Sequence, residues 1–224
     1  MQKLVPALSK SIFEPTYNLG FDAAEVAIDT IFENEAIQNI PIVKTLVAIC
    51  KAGYNIHERN LLKQTLAFIQ ELNNGTISNE KLNEYKEIIN NDSKKAEKEL
   101  GRVLIILGNH IDDIKSQILG SFFKSYINNA ISWDKFCELS EANRRMFVGD
   151  YKILIRANKE KGLNIEKKEL YEVDRLISLG LLQNQNRLGG AVSILLGEET
   201  NIEKDVIVTS FGKTFCQHMP SSMK

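Results

Sequence analysis

The sequence predicts a mainly α-helical protein, with a helical bundle-like body and a small α/β module at its C-terminus. Three observations predict it. Apolar residues recur in steps of three and four up to about residue 160. Gly- and Asn-rich breaks, each followed by a capping residue, cut that pattern into helix-sized pieces. Beyond it come short β-type runs separated by turn signals. A boundary is expected near residues 159–164, where KEKGLN is charged and poor in apolar residues. The expected organisation is a tail over 1–20, an α-helical domain over 21–160 and the C-terminal module over 161–224.

The tail reading rests on mixed polarity, Pro6, Pro15 and Gly20. Asp22 and Glu25 form a capping pair for a first helix bearing Ala24, Ala27, Ile28, Ile31 and Phe32. Then comes the most apolar stretch, IQNIPIVKTLVAICKAGYNI, from Ile37 to Ile56. A membrane-spanning helix needs about 20 mostly apolar residues. Here Lys44 interrupts the run, and Lys51, Asn55, His57, Glu58 and Arg59 close it. On a helix starting at Pro41, Ile42, Val43, Leu46, Val47, Ile49, Cys50, Gly53 and Tyr54 share a broad face, and Lys44, Ala48, Lys51 and Asn55 form a polar stripe. A core helix needs that stripe and a spanning helix does not. The same face can also serve a partner or a lipid surface, which makes Ile42, Val43, Leu46 and Val47 the candidate contact residues.

Further helices follow. One carries Leu62, Leu66 and Ile69 and stops at Asn73-Asn74-Gly75. A short one follows Ser78, and Asn90-Asn91-Asp92-Ser93 is a turn and a cap after it. A long pattern then runs from Ala96 through Leu100, Val103, Leu107, Ile111, Ile114 and Ile118 to Phe122, with an expected break at Gly108-Asn109. Ser132 caps a helix with Trp133, Phe136 and Leu139 inward, and DYKILIRANKEKG forms another that ends at Gly162. In the C-terminal module a helix closes at Gly180. The runs LLQNQ, AVSILLG and VIVTS then read as strands, and FGKTFCQHM as a last helix.

Composition narrows the function. Hydrophobic residues make up 43% and charged residues 25%, which suffices for a buried core. A formal net charge of -1 gives no global attraction to nucleic acid or anionic lipid. Cys50, Cys137 and Cys216 are odd in number and far apart, so no disulfide framework is expected. The opening residues MQKLVPALSKSIFEP lack a signal-peptide core. The expectation is a cytoplasmic protein, with peripheral membrane contact as the alternative.

Catalytic and metal-binding patterns are sparse. Cys216 and His218 supply two metal-type ligands where zinc needs about four. His110 and Asp113 are neighbours on a helix, a spacing that usually gives a solvated pair. No phosphate-binding loop and no nucleophile elbow is present in the sequence. No catalytic residue, metal or cofactor is therefore assigned, and the protein is expected not to be an enzyme. A site assembled from His57, His110 and Asp113 would need a deep polar pocket.

The segment LISLGLLQNQ…VIVTSFGKTF resembles the end of winged-helix domains, in which the helix before the "GL-L" strand often enters the major groove. Here that helix sets Glu166, Glu169, Glu172 and Asp174 against Lys167, Lys168 and Arg175, which repels phosphates at least as much as it attracts them. A winged-helix-like packing or dimerisation module is favoured over DNA readout. Together, IPIVKTLVAICKAG and LISLGLL…VTSFGKTFCQHM resemble bacterial abortive-infection proteins of the Abi-alpha type, over residues 36–218. The resemblance implies phage defence and carries no catalytic residue. The expected function is a non-enzymatic defence protein acting through a protein partner, self-association or peripheral membrane contact. The alternative is a winged-helix DNA-binding regulator using residues 165–218.

Overall fold

The protein was analysed as a computed structural model, which describes residues 3–14, 28–52, 56–74, 77–161, 163, 170–184 and 206–223. Twelve helices and two short strands lie among the described residues, so the chain is mainly helical with a small sheet near its C-terminus. It divides into two compact units, Met1–Arg144 and Arg145–Lys224.

The first unit contains α1 (Leu4–Phe13), α2 (Ile28–Glu33), α3 (Glu35–Gln38), α4 (Pro41–Ala52), α5 (Ile56–Asn73), α6 (Asn79–Asn91), α7 (Ser93–Asn109), α8 (Asp113–Ile127) and nearly all of α9 (Trp133–Arg145). Its centre is the α5–α8 pair. Leu62, Leu66, Phe68 and Ile69 of α5 and Ile118, Leu119, Phe122 and Phe123 of α8 are fully buried. The two backbones pass closely at Gly120, where a Cβ atom would lie 2.8 Å from the Phe68 carbonyl oxygen. The capping residues read from the sequence do their work: the Lys95 N–H donates to Asp92 (2.9 Å) and the Lys135 N–H to Ser132 (3.1 Å). The break at Gly108-Asn109 is also present, since α7 ends at Asn109. It turns Ile111 out to solvent although the apolar pattern runs through it.

The expected tail over 1–20 is corrected in part. Residues Leu4–Phe13 form α1, with Val5, Leu8 and Ile12 buried at helical spacing. Pro6 hid this pattern, but it sits in the first turn, where a missing N–H costs no helical hydrogen bond. The helix is tied down by buried Ser11, whose Oγ accepts the Ile42 N–H (2.9 Å) and so caps the start of α4. The capping pair Asp22 and Glu25 lies outside the described residues.

The second unit contains α10 (Val148–Glu160), α11 (Leu170–Ser178), β1 (Leu182–Asn184), β2 (Val206–Val208), α12 (Ser210–His218) and a short 3-10 turn at Ser221–Met223. The division therefore falls before α10 and not at 159–164. The physical reason is packing: α10 lies against α11, β2 and α12. Strands β1 and β2 are antiparallel, pairing Leu182 with Val208 and Asn184 with Val206. Leu163 bridges to Val206 on the other side, which makes β2 central. Gly180 takes the left-handed conformation (φ 73°) that ends α11. Thr209 Oγ1 then accepts the Gly212 N–H (2.9 Å) and donates to the Gly180 carbonyl (2.6 Å), joining the start of α12 to the start of the hairpin. The strand expected from AVSILLG lies outside the described residues.

Candidate functional site

The four residues read from the sequence as contact candidates sit on α4, which starts at Pro41 as expected. Ile42, Val43, Leu46 and Val47 are all buried. Lys44, Ala48 and Lys51 are exposed, so the polar stripe is real and the apolar face is turned inward. Gly53, Tyr54 and Asn55 lie outside the described residues. The partner- or membrane-contact role is corrected: α1, α3 and α5 pack on α4 within the same unit. No helix of the described residues is long and apolar enough to cross a membrane.

His57, His110 and Asp113 do not form a joint site. His57 is exposed on α5. His110 is 1% exposed and does not pair with Asp113. It belongs to a buried chain of hydrogen bonds. Ser116 Oγ donates to Gln64 Oε1 (2.6 Å), so the His110 Nδ1–H donates to Ser116 Oγ (2.9 Å). Gln64 Nε2 in turn donates to the Ile111 carbonyl (3.0 Å) and to Asp113 Oδ1 (2.9 Å), and Lys63 pairs with Asp113 at 2.7 Å. His110 Nε2 is left buried with no hydrogen-bond partner. Burial, with Lys115 and Arg144 nearby, lowers its pKa to about 4. The solvated pair expected from the sequence is thus replaced by a neutral imidazole that stitches the α7–α8 corner to α5.

A groove of about 530 Å³ is walled by Phe13, Lys86 and Ile89, and one of about 630 Å³ by Lys98, Arg102, Ile105 and Arg144. Neither is lined by His57, His110 or Asp113. Among the described residues no three His, Cys, Asp or Glu side chains converge in a way that could hold a metal ion.

The second unit carries a face that sequence reasoning missed. Asp150, fully buried in the first turn of α10, receives three hydrogen bonds. The Phe147 N–H donates to Oδ2 (2.7 Å), Arg175 Nε to Oδ2 (2.8 Å) and Arg175 Nη2 to Oδ1 (2.6 Å). The first of these caps α10, and the other two form a bidentate fork from α11. The guanidinium carbon lies 4.6 Å from the Phe147 ring centroid and 5.6 Å from that of Tyr171. Both rings remain open to solvent, Phe147 at 64% and Tyr171 at 66% exposure, and Val148 and Leu170 beside them are also exposed. Two exposed aromatic rings thus lie against one neutralised ion pair. The sequence signal was there in outline: Asp150 stands three residues after Phe147, and Tyr171 and Arg175 are one helical turn apart. What it lacked was the long-range pairing of Asp150 with Arg175.

Compared with protein-family models, with curated proteins and with solved structures, the chain matches none.

Proposed function

We propose that the protein is a non-enzymatic bacterial phage-defence protein that acts through protein contacts, with its C-terminal unit as the contact element. One observation carries the contact part of this reading. Arg175, the cation of α11, is spent on buried Asp150, while Phe147 and Tyr171 stand exposed on either side of it. Phe, Tyr and Arg are the residue types enriched in protein interfaces, and an aromatic held in place by a fixed neighbour loses little entropy on binding. The defence setting is supported by the resemblance of residues 36–218 to abortive-infection proteins.

The order of elements favours a winged-helix-like shape for this unit. Leu163, α11, β1 and β2 follow one another with β2 central, and in winged-helix modules it is the helix before the hairpin that reads DNA. Here that helix, α11, is a poor reader of phosphate. Its described charges are Glu172, Asp174 and Arg175, and Arg175 is already paired. Protein contact is therefore the better use of the shape.

The test pairs a phage-challenge assay with a gel-shift titration. Cells expressing the wild type should survive as a population at low phage dose, and Phe147→Ser/Tyr171→Ser should lose that protection while remaining folded. Duplex DNA should not be retarded at low salt. Retardation that persists in Phe147→Ser/Tyr171→Ser and disappears in charge-reversed α11 variants would replace this reading with the DNA-binding one.

A further inference from the structure

We propose that the cleft between α10 and α12 is a binding site for a small organic carboxylate, an anionic head on a short apolar body. Such a site is separate from the contact role of the Phe147 and Tyr171 rings, and neither depends on the other.

The cleft holds about 240 Å³ and lies within the second unit. Its two walls are built alike. Ile155, Asn158 and Lys159 stand at i, i+3 and i+4 on α10, and Lys213, Cys216 and Gln217 repeat that spacing on α12. Each triplet lies on one helix face, and the packing of α10 on α12 sets the two faces against one cleft. Met219, just past the end of α12, lines it as well. Cys216 and Met219 are buried and Ile155 is half-buried, which gives the cleft an apolar interior. Lys159 and Lys213 are exposed and stand at its mouth.

The charge of the cleft is one-sided. Lys159 and Lys213 are the charged residues of its described lining, and neither ammonium has a carboxylate or hydrogen-bond partner among the described residues. Acids are scarce around them. Residues 210–223 contain none. On α10, Asp150 is held by Arg175, and Glu160 is turned about 100° round the helix from Lys159. Two uncompensated cations over an apolar interior make a local positive potential, although the whole chain has a formal net charge of -1. Size and donor type then narrow the ligand. The volume falls just under the ~300–1,000 Å³ of ordinary ligand pockets, which suits a small molecule. An apolar body would displace water from Ile155, Cys216 and Met219, and the two oxygens of a carboxylate would give each lysine an acceptor. Phosphate is gripped best by arginine forks, hydroxyls or clustered backbone N–H groups, and the described lining has no arginine, serine or threonine.

Octanoate is the probe, titrated into the full chain to about 10 mM and followed by the amide NMR spectrum. Its dissociation constant should be on the order of 0.1–1 mM, with the shifts gathered on α10 and α12. Octanol has the same chain length and no charge, and inorganic phosphate has charge and no chain. Each should bind at least ~10-fold more weakly. Lys159→Gln and Lys213→Gln should each weaken octanoate at least ~5-fold. Lys98→Gln/Arg102→Gln, in the separate groove of the first unit, should leave its binding unchanged. All four positions are exposed, and the spectrum of each variant before ligand is added reports its fold. No shifts, or shifts centred away from α10 and α12, overturn the proposal. So does octanol binding as well as octanoate, because the lysines would then play no part. Phosphate binding as well as octanoate overturns it by removing the role of the apolar interior. Octanoate binding that ignores both lysine substitutions, or that falls equally in Lys98→Gln/Arg102→Gln, overturns it too.

Discussion

Arg175 holds Asp150 by a two-pronged grip of 2.6 and 2.8 Å, although the carboxylate is completely buried and the guanidinium is one-quarter exposed. That asymmetry decides how the pair responds to substitution. Removing the arginine strands a buried carboxylate, whereas removing the carboxylate frees a cation that can turn to water. Arg175→Met should therefore cost about 3 kcal/mol or more of stability. Asp150→Asn, which can still accept the Phe147 N–H, should cost about 1–2 kcal/mol. Urea unfolding of the two variants checks the order, and an Asp150→Asn loss larger than that of Arg175→Met would contradict it.

The burial of α4 changes what its substitutions can report. Val43 and Leu46 face the interior of the first unit. Val43→Asp places a carboxylate there with no partner, so a loss of about 4 kcal/mol or more is expected. Lys44→Asp, on the exposed stripe of the same helix, should be nearly neutral, within about 0.5 kcal/mol. Circular dichroism melts of the pair measure this directly. If Val43→Asp kept the wild-type melting temperature, the inward orientation of this face would be refuted.

Local signals made most of the helices legible. Asp92, Ser132, Gly180 and the Gly108-Asn109 break each fix an element by chemistry within one turn, and each stands where the sequence places it. What the sequence hid depends on distant pairings. The N-terminal helix is recognisable as part of the fold only once Ser11 reaches Ile42, thirty-one positions away. The boundary before α10 follows from contacts of α10 with α11 and β2, which no composition shift announces. The candidate face was illegible for the same reason. Phe147 reads as a core aromatic by type, yet its ring is exposed and lies against the Arg175 that pairs with Asp150, a residue of another helix. His110 was misread in the opposite sense, because its partner is Ser116 and not the nearer-seeming Asp113.

Gly120 marks the tightest approach in the first unit. A Cβ there would meet the Phe68 carbonyl at 2.8 Å and Glu71 Cβ at 3.2 Å, and the first of these is backbone that cannot swing aside. Gly120→Ala should thus push α5 and α8 apart and cost about 1–3 kcal/mol, against the small gain in helix propensity that alanine brings elsewhere. Gly108→Ala provides the control, since nothing lies within 4 Å of its added methyl group. It should be neutral or stabilising by up to about 1 kcal/mol. Paired urea titrations separate the two, and equal effects would mean that close packing is not what reserves position 120 for glycine.

His110 gives the protein a calculable response to acid. Its ordinary pKa of 6.5 falls to about 4 in the fold, because the buried ring has lost its water and lies near Lys115 and Arg144. The unfolded chain therefore takes up this proton at a higher pH than the folded one. The stabilisation is full above about pH 6.5 and is lost as the pH falls through that value toward 4. A shift of this size corresponds to something on the order of 3 kcal/mol across the window. Carboxylates titrate in the same range, so the informative quantity is the difference between two proteins. His110→Asn can still present an N–H toward Ser116 but cannot gain a charge. The variant should be less stable than wild type at pH 7, by the packing it loses, and the gap should narrow steadily between pH 6.5 and 4. Chemical unfolding at closely spaced pH values measures the gap. If it stayed constant across that window, His110 would have to be as easily protonated in the fold as in water, and the buried, neutral imidazole joined to Ser116 would be wrong.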